Sequence, residues 1–179
     1  MVFGVMSQLK PMIIVLLMLT SALAGCAGTD GIDGQDGKDF ERTEINLYQA
    51  DLERASLVLM DLSNANLSHS NMMEADVRYA NLSGTDMSYA FVEFAILIGV
   101  DLSNANLSHS DMDWTDLTGV NLSGADLSNS DLNGAYIDGA DLTGADLTGV
   151  RVGDAVWLNT TCPDGTNSDD NGNTCENNL

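Results

Sequence analysis

The chain has 179 residues, of which 27 are acidic and 6 basic, giving a net charge of −21 with only two His and three Cys. That balance repels nucleic acid and anionic membrane surfaces, and suits a well-solvated chain or a basic partner. The length allows one ordinary globular domain, but a repeat that fills most of the chain excludes a conventional core.

Residues 1–25 read as an export signal. Lys10 precedes an apolar run from Met12 to Leu19 that is too short for a transmembrane helix and is followed by small residues. Leu23-Ala24-Gly25-Cys26 resembles the lipobox of bacterial lipoproteins. The resemblance implies that the Cys26 thiol is lipidated, that the chain is cut just before it, and that acyl chains anchor the protein to a membrane in the cell envelope. In a bacterium with two membranes, Ala27 resembles the signal for delivery to the outer one. Residues 26–44 hold that cysteine and then a Gly-x-Asp run, Gly28 to Asp39, with too few triplets and no proline to wind a collagen helix. The run is expected to be a hydrated spacer.

Residues 45–159 form one unbroken five-residue repeat, about 23 units long without an insertion. Ala50-Asp51-Leu52-Glu53-Arg54 and Ala125-Asp126-Leu127-Ser128-Asn129 are typical units. The central residue is always apolar, and the residue two before it is mostly small, as at Ala65, Ser70 and Ala105. Residues two apart on an extended chain share a face, so both point inward and the Asp or Asn between them points out. The last two residues of each unit are polar or Gly, and the alternation breaks there, which makes a corner. The ten residues Asp61 to Ser70 recur as Asp101 to Ser110, an offset of 40 residues.

These A(D/N)Lxx units resemble the pentapeptide repeat family. The resemblance implies an all-β fold, a right-handed quadrilateral parallel β-helix of about 23 pentapeptides in nearly six coils. Each residue then stacks on its neighbours 20 positions away, in a rod roughly 27 Å long. In one outward column Asp61, Asn81, Asp101, Asn121 and Asp141 alternate charge with amide, which relieves repulsion between adjacent strands.

Few residues offer chemistry. His69, Tyr89 and His109 share a corner column, but their backbones should stand about 9.6 Å apart with the tyrosine between, which makes a surface stack rather than a metal site. No Ser-His-Asp or Cys-His set can be assembled, so no enzyme and no cofactor are expected. Phe91, Phe94, Ile96, Ile98, Trp114 and Tyr79 break the polar rule at outward positions, an exposed apolar patch suited to a protein partner or a homodimer. Residues 160–179 leave the repeat. With Cys26 given to lipid, Cys162 and Cys175 remain to form a disulfide in an exported protein. The segment from Cys162 resembles the Cys-Pro-Asp-Gly-Thr tail of exported pentapeptide proteins, and is read as a cap behind Trp157. Asn167, Asp169 and Asn171 carry the opening spacing of an EF-hand loop, a calcium alternative that meets Asn178 where that loop needs Glu.

The leading reading is a non-enzymatic, lipid-anchored envelope scaffold or interaction module. The alternatives are an acidic, DNA-mimicking topoisomerase inhibitor of the quinolone-resistance type found in the family, and a divalent-cation-binding surface protein. The export signal counts against the inhibitor, whose target is cytoplasmic.

Overall fold

The computed structural model describes residues 45–175. Within them the chain coils so that residue n pairs in parallel with residue n + 20, along four sides. Side 1 carries the ladder Asn46, Asn66, Asp86, Asn106, Asp126 and Asp146, and side 2 carries Asp51, Asn71, Phe91, Asp111, Asp131 and Arg151. Side 3 carries Ser56, Asp76, Ile96, Asp116, Tyr136 and Val156, and side 4 carries Asp61, Asn81, Asp101, Asn121, Asp141 and Thr161.

Hydrogen-bond accounting within one unit explains the repeat. In residues 65–69, Ala65 N–H closes the preceding turn on Leu62 O, Asn66 N–H donates back one coil to Ile45 O, and Leu67 and His69 N–H donate forward to Asp86 O and Ser88 O. The fifth amide, on Ser68, is met by the side chain of Asn66, whose Oδ1 accepts it at 3.0 Å. The same bond recurs from Ser88 to Asp86, Ser108 to Asn106 and Ser128 to Asp126 at 2.9–3.1 Å. An unpaired backbone donor is costly, so the Asp or Asn of each unit is a turn cap as much as a surface charge.

The corner has its own requirement. Every fifth residue from Gln49 to Asn159 has a positive φ, between 49° and 71°. Bulky residues such as Leu59, Phe94 and Trp114 sit there among Gly and Asn, at an intrinsic cost of about 1–2 kcal/mol each. Inside, the apolar columns are closed: Leu62, Leu67, Met72, Leu82 and Leu102 have no exposed surface, and Ala65 and Ala105 have 1%.

The ladder runs one unit beyond Asn159, where the sequence pattern stops. Thr161 pairs with Asp141, Leu142 N–H donates to Thr161 O, and Gly144 N–H donates to Pro163 O. Thr160 and Cys162, both fully buried, fill the small and large inward columns. Thr161 in place of Asp or Asn hid this unit from the consensus. The chain then turns back: Thr161 pairs antiparallel with Asn167, and a 3-10 turn at Ser168–Asn171 follows. Buried Ser168 ties this return to the coil, donating from Oγ to Trp157 O and accepting from Thr160 N–H. Cys162 and Cys175 form a disulfide across 13 residues with Cα atoms 5.4 Å apart; closing such a loop contributes about 3 kcal/mol in the chain-entropy picture.

The capping role separates two substitutions at one site. Asp126→Ala should lose about 1 kcal/mol, because the Ser128 amide is left without its acceptor. Asp126→Asn keeps an Oδ1 and removes charge between Asn106 and Asp146, so its urea midpoint should equal or exceed that of the parent. Equal losses in both variants would contradict the capping role.

Candidate interaction surface

Departures from the Asp/Asn rule are confined to part of the coil. Side 1 holds Asp or Asn at every ladder position, and side 4 does so until the cap at Thr161. Phe91 and Arg151 interrupt side 2; Ser56, Ile96, Tyr136 and Val156 interrupt side 3. Sides 1 and 4 are knitted laterally, as Asn106 Nδ2 donates to Asp86 and Asn81 and Asn121 Nδ2 donate to Asp61 and Asp101 at 3.1–3.2 Å, and the start of side 2 is knitted likewise by Asn71 Nδ2 to Asp51. The alternation of Asp and Asn therefore works through direct hydrogen bonds as well as reduced repulsion.

Phe94 and Trp114 stand one coil apart on the corner between sides 2 and 3, 56% and 53% exposed, with Phe91 and Ile96 outward on the flanking sides. Trp114 lies over Gly134, where a Cβ would meet the indole at 2.7 Å. Gly134 also has a φ of 67°, so no other residue fits there easily. Tyr79 lies over Gly99 in the same way, but at the far edge of side 3, and Ile98 is only half exposed. The six apolar candidates thus divide into a ridge of Phe91, Phe94, Ile96 and Trp114 and a separate pair, Tyr79 and Ile98, whose backbones are hydrogen-bonded across the coils. An aromatic corner followed by Gly 20 residues later is a readable signal that the sequence reading passed over.

A second missed feature lies beside the ridge on side 2. Glu93, Asp111, Asp113 and Asp131 occupy two adjoining outward columns. Burial, then the neighbouring Asp111 carboxylate, raises Glu93 above the usual carboxylate range. Asp113 is raised to about 6, first by burial and then by the hydrogen bond and charge of Asp131, with Asp111 adding to it. Glu93 Oε2 and Asp113 Oδ1 are buried and accept no hydrogen bond. The described cations are already engaged: Arg54 with Glu53 and Glu74, Arg78 with Asp76, and Arg151 with Asp131.

The other candidates fall in different places. His69 and Tyr89 stack at 5.0 Å and Tyr89 and His109 at 4.8 Å, with Tyr48 edge-on to His69, which extends the expected stack by one ring. Asn167 Oδ1 caps the 3-10 turn, Asp169 Oδ1 accepts from Asn159 N–H and Asn171 Nδ2 donates to Thr166 Oγ1, so these side chains serve the cap. Among the described residues no group of three or more His, Cys, Asp or Glu is arranged to hold a metal ion, and no helix is long and apolar enough to cross a membrane. Cys26 and the export signal lie outside the described residues.

The model of the family described as pentapeptide repeats matches residues 43–78, 78–113, 92–124 and 110–149 in eight copies, more than half of the chain. The chain belongs to the pentapeptide repeat family. Its coil is therefore a right-handed quadrilateral β-helix. Among solved structures it is similar to HetL, a pentapeptide repeat protein involved in heterocyst differentiation regulation from the cyanobacterium Nostoc sp. strain PCC 7120. The match has 31% identity and a TM-score of 0.51, over 69% of this chain and 64% of HetL. A pentapeptide repeat protein from the Arabidopsis thaliana thylakoid lumen matches with 32% identity and a TM-score of 0.52, over 53% of this chain and 66% of its own. The chain thus spans slightly under two thirds of both. QnrB1, a plasmid-mediated fluoroquinolone resistance protein, matches at 18% identity and a TM-score of 0.27, over 64% of this chain and 74% of its own, which carries no argument about function. No curated protein matches the chain.

The crowded carboxyls of this pentapeptide repeat protein give a signed pH dependence. An acid held above its unfolded value takes up a proton on folding, so stability rises as pH falls through about 6 toward about 4. Carboxyls held low do the opposite, but only below about 4: Glu74 beside Arg54, Asp76 beside Arg78, and Asp146 and Asp164 beside Thr148 and Thr166. The thermal midpoint by circular dichroism should be higher at pH 5 than at pH 7.5, and Asp113→Asn should shrink the difference. A parent midpoint that is flat or lower at pH 5 would remove the effect.

Proposed function

We propose that this pentapeptide repeat protein is a non-enzymatic, lipid-anchored scaffold of the bacterial cell envelope, acting through a protein–protein contact on the corner of sides 2 and 3. The observation that carries the reading is one-sidedness. Where the outward residue must cap a turn, Asp or Asn serves best, and replacing it with Phe91 or Ile96 forfeits a cap and exposes apolar surface. That cost is spread over two adjoining sides and spares the other two, as expected of a rod that presents one aspect to a partner. The envelope address rests on Leu23-Ala24-Gly25-Cys26, and a disulfide between Cys162 and Cys175 suits an oxidising compartment. Lipid rather than protein then attaches the rod to a membrane, the outer one where there are two.

The address is tested by expressing the full chain in a bacterium, labelling with a radioactive fatty acid and fractionating the membranes. Label in the membrane fraction that disappears in Cys26→Ala is the expected result. An unlabelled protein in the cytosol would overturn the envelope assignment. Sedimentation of the parent beside a Phe94→Ser/Ile96→Ser variant then separates the two kinds of partner. A dimer in the parent that becomes a monomer in the variant identifies a second copy, and monomers in both leave a heterologous partner.

A further inference from the structure

The apolar ridge and the acidic shoulder are parts of one surface, and together they specify its occupant. Phe94 and Trp114 project from the corner, Phe91 lies beside them on side 2, and Glu93, Asp111 and Asp113 continue that side without a break. Glu93 Oε2 and Asp113 Oδ1 are buried yet accept no hydrogen bond, and of the three described arginines only Arg151 reaches this group of acids, through Asp131. Such oxygens are costly until a donor reaches them. A cationic donor on a partner would meet both needs at once, satisfying these oxygens and relieving the crowding of Glu93, Asp111, Asp113 and Asp131.

We infer that the ridge docks a polypeptide segment in which an aromatic or aliphatic side chain is flanked by Arg or Lys. The apolar side chain lies against Phe94 and Trp114, and the cation reaches over the corner to Glu93, Asp111 and Asp113, with the Trp114 indole as a further cation–π partner. A second copy of this chain fits poorly: it would set one acidic shoulder near another, on molecules of charge −21 each. An acidic rod binding by diffuse charge fits poorly too: Asp111 and Asp131 cap their turns as the acids of sides 1 and 4 do, but among the described acids only Glu93 and Asp113, beside them, keep a buried oxygen without a hydrogen bond. The inference rests on the proposed contact at this corner and names the chemistry of the partner.

The test uses the full chain in a non-ionic detergent and two short fluorescent peptides. One carries arginines around a central Trp-Leu pair, and the other has citrulline for every arginine. Three variant sets are compared by anisotropy: Phe94→Ser with Trp114→Ser; Glu93→Gln with Asp111→Asn and Asp113→Asn; and Asp101→Asn with Asp126→Asn and Asp141→Asn, which removes equal charge from sides 1 and 4. The arginine peptide should bind at least about tenfold tighter than the citrulline peptide, and lose about tenfold or more in each of the first two sets but less than about twofold in the third. Equal losses in the second and third sets would mean bulk charge only, and would overturn the inference. If the first set weakens both peptides alike while the second changes nothing, the corner is an interface but its partner is not basic. If the first set changes neither peptide, the proposed contact at the corner itself fails. The carboxamide variants are near-isosteric, so the second set stays informative even where the serine pair disturbs folding.

Discussion

One backbone amide in five governs this molecule. Coiling a chain with a turn every five residues supplies main-chain acceptors for four of each unit's N–H groups and leaves the one after the buried apolar residue without any. An Asp or Asn two residues earlier reaches it with Oδ1, as Asn66 does for Ser68. The polar letter of the repeat is therefore a structural requirement before it is a surface property. Because either Asp or Asn meets it, charge along a column is left free to vary, and Asn81 and Asn121 use that freedom to donate to Asp61 and Asp101.

The same turn fixes where bulk can go. The corner residue must take a positive φ, and the next coil passes directly above it. A large side chain there has two courses, to stack on its neighbour or to lie over a residue without a side chain. His69, Tyr89 and His109 take the first, while Trp114 over Gly134 takes the second. Trp114 and Tyr79 lie against glycines 20 residues on, and an exposed aromatic already packed in this way has less side-chain entropy to lose on contact with a partner.

Sidedness then follows from where the cap is abandoned. Sides 1 and 4 keep the Asp/Asn ladder through the body of the coil, whereas sides 2 and 3 give it up at Phe91, Ile96 and Tyr136 and crowd acids at Glu93 to Asp131. The solenoid end is treated differently again. The return at Thr161 to Ser168 pairs with the final coil, and the disulfide fastens it, so that Trp157 is covered.

The amino-acid pattern alone carried the inward columns and the corners, since a small and a large apolar residue two apart share a face and the alternation breaks every fifth residue. The four-sided cross-section came from the resemblance to the family, because a period of five does not fix how many sides close a coil. The pattern also placed Phe94 and Trp114 outward, since their position in the unit decides that. What it left open was everything that depends on contacts between coils. The unit from Thr160 to Asp164 carries no consensus letter in its outward position, and only its hydrogen bonds to Leu142 and Gly144 reveal it. Asn167, Asp169 and Asn171 have the spacing of a loop that binds a cation, yet the return of the chain commits them to Asn159 and the 3-10 turn. The gathering of Glu93, Asp111, Asp113 and Asp131 spans residues up to 38 apart and becomes a single feature only when the coils stack, because burial and shared hydrogen bonds are properties of neighbours in space.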